Sequence, residues 1–143
     1  MKTMKTMILT MFLIAGMATT SQAQTKADAI IGEWTNEKKD AKFQIFKQGD
    51  KYFGKILSGS GGETKDVKNP NTKLKTREII GLVMLNNFVF DGDATWKDGT
   101  IYDPREGKTY SCKITIKSKN QINVRGFMGI AMFGRTEVWT RIK

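Results

Sequence analysis

Histidine is absent from the 143 residues, cysteine occurs once and proline twice. Each shortage removes a class of chemistry. Protein zinc sites take about three or four ligands, usually with imidazole or thiolate among them. A Ser-His-Asp or Cys-His relay needs an imidazole. One cysteine cannot close an internal disulfide, so stability has to come from a buried core. No metal and no cofactor is therefore expected. Carboxylates are also scarce: 14 Asp and Glu stand against 24 Lys and Arg, for a formal charge of +10. That excess raises nucleic acid, a membrane surface or an acidic ligand as partners.

What is present first is a leader. Lys2 and Lys5 precede an apolar run from Met7 to Met17, and Ser21-Gln22-Ala23 puts small residues at the −3 and −1 positions of a cleavage site. This is the pattern of a secretory signal peptide. It predicts a signal segment over 1–23 and one domain over 24–143, exported to the periplasm or the extracellular space. The apolar run is shorter than the ~20 residues of a spanning helix. Loss of Lys2 and Lys5 lowers the charge of the exported part to +8.

The remainder reads as short strands between turn signals. Ile30 to Thr35 is the first. Lys42 to Lys47 and Tyr52 to Leu57 flank Gln48-Gly49-Asp50 as a hairpin. Ile79 to Leu85 is a nearly unbroken apolar run that suits a buried strand. Asp91-Gly92 and Asp98-Gly99 are turn dipeptides that bracket a strand holding Trp96. Thr100 to Asp103 follows, ended by Pro104. From Thr109 to Lys117 the alternation is strict, with Tyr110, Cys112, Ile114 and Ile116 on one face. A strand through Ile122 and Val124 and a last one from Arg135 to Ile142 complete the series. No stretch after Ala29 sustains helical periodicity. The expected fold is all-β: about eight short strands at this spacing suit an antiparallel up-and-down barrel or a sandwich, and a closed barrel has the advantage of removing exposed edges. One long polar loop, Ser58 to Lys75, interrupts it, and loops of this length are often functional.

Several residues stand out as a candidate site. In Asp66-x-x-Asn69-Pro70, Asp and Asn side chains can accept backbone N–H bonds, and proline pushes Asn69 out of the helical region. This is ordinary loop architecture, or a rim that binds a ligand with Arg77 supplying charge. Tyr102-Asp103-Pro104 is foremost a turn initiator. Met128 and Met132 lie in the Gly-spaced apolar stretch Gly126 to Gly134, which reads better as a buried bend than as an exposed loop. Methionine adapts to irregular pockets, which keeps a pocket-lining role open for both. Cys112, on the apolar face of its strand, reads as a small buried hydrophobe. Lys65, Lys68, Lys73, Lys75 and Arg77 cluster without an aromatic residue between them. Nucleic-acid binding wants stacking aromatics beside such charge, so nucleic acid is not expected as a partner.

Gly32-x-Trp34 on the first strand and Arg141 at the end of the last resemble the calycin superfamily, the lipocalins and fatty-acid-binding proteins. That resemblance implies a structural barrel end built from Trp34, Trp139 and Arg141, with a guanidinium over an indole. A longer ordered series is similar to the bacterial exported family known as domain of unknown function 2147. It runs through Asp66 to Pro70, Arg77 with Gly81, Trp96 to Pro104, Gly107 to Tyr110, Arg125 to Gly129 and Trp139 to Arg141. Members of that family often carry a Cys pair near the second and third strands. Phe43 to Gly54 holds none here. The resemblance implies an exported calycin-like β fold and no established activity.

The expectation is a non-enzymatic exported barrel that binds a small, partly apolar or anionic ligand, or an envelope component. Its ligand or rim residues would be Asp66, Asn69, Arg77, Tyr102, Asp103, Met128 and Met132. The alternatives are an envelope structural or interaction protein, and a carboxylate enzyme using Asp66, Asp103 or Glu137 with Arg77 or Arg141.

Overall fold

A computed structural model describes residues 26–130 and 132–143. The expected signal segment lies outside the described residues. Eight antiparallel strands close into an up-and-down barrel in which every strand pairs with its chain neighbours and β1 pairs with β8. They are β1 (Gly32–Thr35), β2 (Ala41–Gln48), β3 (Lys51–Gly59), β4 (Val83–Phe90), β5 (Thr95–Asp103), β6 (Lys108–Ser118), β7 (Gln121–Phe127) and β8 (Gly134–Arg141). Closure leaves no unpaired edge, which suits a domain with no disulfide to brace it. The only regular helical pieces among the described residues are short turns, one ahead of β1 and one, Thr72–Leu74, in the long loop.

Alternation sorts the side chains. Phe43 and Ile45 of β2, Tyr52 and Ile56 of β3, Cys112 and Ile114 of β6, Ile122 and Val124 of β7, and Trp139 of β8 all join the buried core. Burial pushes the Cys112 thiol up to about 12, so it is a protonated core residue and no nucleophile at neutral pH.

The two ends differ. The turns after β2, β4 and β6 crowd one end, and the segment before β1 closes it. Trp34 Nε1 donates to Ile30 O at 2.9 Å and Trp96 Nε1 to Ala27 O at 2.9 Å, while the Tyr52 hydroxyl donates to Asp28 at 2.6 Å. Arg141 lies over the Trp34 ring, 4.3 Å from its centroid, and donates to the carbonyls of Ala29, Ile31 and Lys119. Gly32 sits at φ 142°, and a Cβ there would come within 2.7 Å of the Arg141 guanidinium. Glycine is what lets the strand pass so close beneath the cation. The other end receives the β1–β2, β5–β6 and β7–β8 turns and the long connection from β3 to β4.

Three sequence expectations need correction. Asp98-Gly99 is no turn. It is a bulge inside β5, where the register with β6 shifts between Trp96 and Gly99 and Asp98 takes φ 62°. A Cβ on Gly99 would fall 2.5 Å from the Phe88 ring, so the glycine makes room for a core aromatic. The strands read on either side of it are one. Second, Ile79 to Leu82 is not strand: Leu82 N bonds Ile79 O in a turn, and β4 begins at Val83 and continues through Asn86-Asn87. Asn87 adopts φ 64°, a conformation Asn tolerates well. Third, Met128, Ile130, Met132 and Phe133 do not lie in a buried bend. These large apolar side chains point into solvent at the tip of the β7–β8 hairpin.

Candidate functional site

At the open end lies a cavity of about 430 Å³. Its floor is apolar: Phe43, Ile56, Met84, Ile101 and Trp139. The Trp139 and Phe43 rings are stacked, with centroids 4.1 Å apart and planes 7° from parallel. These residues reach the cavity because inward positions of β2, β3, β4, β5 and β8 converge just below the mouth. Trp139 was expected with Trp34 and Arg141 at the closed end. It stands two residues up the strand from Arg141 and faces the cavity.

The rim is charged with both signs. Asp103 and Arg105 form a bidentate pair, with Arg105 Nε and Nη2 donating at 3.0 and 2.9 Å. Burial raises the Asp103 pKa, but the hydrogen bonds from Arg105 and the charges of Arg105 and Arg135 outweigh it and hold the carboxyl below its ordinary value. Glu137, inward-facing on β8, accepts from the Trp139 indole and from the Glu37 backbone N–H, each at 3.3 Å. Asp40, Glu63 and Lys68 complete the charged lining. An apolar floor beneath a mixed polar rim can hold a small molecule with an apolar body and a polar end. Ionised Asp103 is no proton donor at neutral pH, and no group of three or more His, Cys, Asp or Glu among the described residues could hold a metal ion.

Of the seven residues expected at a ligand site, Asp103 alone lines this cavity. Asp66, Asn69, Arg77 and Tyr102 do come together, but elsewhere. Ile101 points inward, so Tyr102 points out through the wall, and the long loop folds over it. The Asp66 side chain is fully buried and accepts from the Tyr102 hydroxyl at 2.5 Å, from Asn69 Nδ2 at 2.8 Å and from Arg77 Nε at 2.8 Å. The backbone repeats the link, since Asp66 N bonds Arg77 O and Asn69 N bonds Asp66 O. Arg77 also lies over the Tyr102 ring, 5.4 Å from its centroid. Burial raises the Asp66 pKa, but the three donors and the Arg77 charge more than offset it, so the carboxyl stays below its usual range. Burial and the same contact push Tyr102 up to about 12. With every polar atom of Asp66 engaged, this cluster is a latch that fixes the loop to the barrel. The Asp66 carboxylate has no oxygen left for a ligand. The loop in turn lends Gly61, Gly62, Glu63, Lys68, Ile79 and Ile80 to the cavity wall. Met128 and Met132 stand apart on the hairpin tip.

The cavity floor was missed because each residue is an unremarkable strand hydrophobe. The usable signal was parity: Glu137 shares its β8 face with Trp139 and Arg141.

Comparison with known proteins places this architecture. Residues 32–141 match the family described as "Uncharacterized protein conserved in bacteria (DUF2147)". The chain belongs to that family. This member of DUF2147 is also similar to a solved structure, the Helicobacter pylori protein HP1028, described as belonging to the lipocalin family. The two share 24% identity and superpose with a TM-score of 0.73, over 80% of this chain and 83% of the other. That likeness shows a lipocalin-like barrel. Among curated proteins, no sequence match was found.

Proposed function

We propose that this DUF2147 protein is exported and binds one small, partly apolar molecule in the open end of its barrel, without chemical conversion. The observation that carries the reading is the cavity of about 430 Å³ with its stacked Phe43–Trp139 floor and charged rim. Small-molecule sites are commonly concave and mostly apolar, with a few placed polar groups, and an eight-stranded barrel has room for one small ligand. The apolar part would lie on Phe43, Ile56, Met84, Ile101 and Trp139. The polar end would meet Asp103, Arg105 and Glu137, which offer both donors and acceptors. Export rests on the leader sequence.

The test is a titration of the chain lacking residues 1–23 with 1-N-phenylnaphthylamine, a neutral apolar dye. Saturable one-to-one binding is expected. Ser58 lines the cavity and is exposed at the mouth, so Ser58→Trp should block entry and weaken binding at least tenfold. Absence of saturable binding, or an unchanged Kd in the variant, would overturn the reading. Mass spectrometry of small molecules co-purified with the protein would then identify the natural ligand class.

A further inference from the structure

The β7–β8 hairpin tip carries Met128, Ile130, Met132 and Phe133, exposed by 65%, 56%, 76% and 71%. Four large apolar side chains on one protruding tip are more than the scattered exposed hydrophobics of an ordinary surface. The wall beneath the tip has its own character. Outward positions of β6, β7 and β8 hold Lys113, Lys117 and Arg125 and no Asp or Glu. Lys113 and Arg125 are directly paired across the strands. Arg125 is two residues below Phe127 on the same face, roughly 7 Å down at the usual strand rise. Arg125 also braces the hairpin, donating to Thr136 Oγ1 at 2.8 Å and to the Met132 carbonyl. Glu106, on the neighbouring β5–β6 turn, has its carboxylate bonded by the Tyr110 hydroxyl.

We infer that this hairpin docks the barrel onto the surface of an anionic phospholipid bilayer. The apolar tip would enter the headgroup–acyl boundary, and Lys113 and Arg125 would sit at the phosphate level. An apolar end above a basic, carboxylate-free band is the arrangement that binds an anionic interface through buried apolar area and charge together. Methionine and phenylalanine on a protruding turn need no receiving pocket there, only a soft apolar layer. Glu137 of the cavity lies three residues from Gly134, where the hairpin rejoins β8. Docking by the tip therefore brings the cavity mouth to the bilayer.

Co-sedimentation tests this. The chain is used without residues 1–23, since that segment is itself apolar and all eight strands of the closed barrel lie after it. Vesicles of phosphatidylethanolamine and phosphatidylglycerol should pellet the protein, and phosphatidylcholine vesicles should pellet at least fivefold less. Met132→Glu with Phe133→Glu should lower the pelleted fraction at least fivefold, and Lys113→Glu by a smaller factor. All these side chains are at least partly exposed, and an unchanged circular dichroism spectrum verifies folding. As a second readout, the Phe133→Trp variant should shift its emission to the blue on addition of the anionic vesicles alone. The inference is overturned if pelleting ignores the tip substitutions or lipid charge, if the emission of the Phe133→Trp variant does not move, or if light scattering shows the tip joining two copies of the chain.

Discussion

Asp66 shows how one buried charge can organise a loop of more than twenty residues. A carboxylate taken out of water is unfavourable unless its lone pairs are filled, and here Tyr102, Asn69 and Arg77 fill them. Tyr102→Phe removes the hydroxyl donor and leaves part of the charge unmet. Hydrogen bonds to charged groups are worth about 1.5–3 kcal/mol, so a loss of about 2 kcal/mol is expected in urea unfolding at pH 7. The pH dependence has a definite sign. The Asp66 carboxyl titrates lower when folded than when unfolded, so folding favours its ionised form. That stabilisation is complete above the unfolded value, near 4, and disappears as pH falls through the folded value. Asp66→Asn should therefore be less stable than the natural chain at pH 7. The gap between the two should narrow steadily below about pH 4, as followed by urea midpoints across a pH series. The Asp66-x-x-Asn69 spacing was visible in the sequence as turn chemistry. Arg77 was read beside it as a source of charge; that these side chains would close on one another, with Tyr102 as a third donor, was not visible, because the Tyr102 contact depends on the wall facing outward there.

At the level of elements, the strands that were legible are the ones with uninterrupted alternation. β6 is the clearest, and β2, β3, β7 and β8 follow it. The two that were misread are β4, whose start was placed in the apolar turn at Ile79 and which runs on through Asn86-Asn87, and β5, which holds the turn dipeptide Asp98-Gly99. In the barrel both dipeptides are irregularities within a strand, with Asn87 and Asp98 at positive φ. Local preference for that backbone region is the same in a turn and in a bulge. What decides is the partner strand, and here Phe88 of β4 needs the space above Gly99 of β5. The two irregular strands are thus fitted to one another. Gly99→Ala should force the Phe88 ring aside and overpack the core, at a cost of about 1–3 kcal/mol. Calorimetry should show the lowered midpoint, while Gly59→Ala, with open space around its Cβ position, should leave it within a degree or two.

The whole barrel divides its labour between its ends. At the closed end every buried polar contact is spent on the fold: Arg141 holds three carbonyls and an indole, and Trp34, Trp96 and Tyr52 each bond the segment ahead of β1. At the open end the rim charges face a cavity, and Trp139, stacked on Phe43, lines it. Only half of this division was legible beforehand. The closed end was legible because the Gly-x-Trp spacing at Gly32 and Trp34, with Arg141 ending the last strand, resembles the calycin superfamily. The cavity leaves no such spacing, since its floor is drawn from strands far apart in sequence. The division is testable by opposite substitutions. Arg141→Ala removes a cation–π contact of about 0.5–2 kcal/mol and several charge-assisted hydrogen bonds, so a loss of about 3 kcal/mol is expected. Its Kd for phenylnaphthylamine should stay within twofold of the natural chain, because the lost contacts lie at the far end of the barrel. Ser58→Trp should do the reverse, weakening the dye while holding the urea midpoint. If Arg141→Ala weakened the dye as much as it weakens the fold, the cavity would depend on the closure of the base, and the two ends would be one cooperative site.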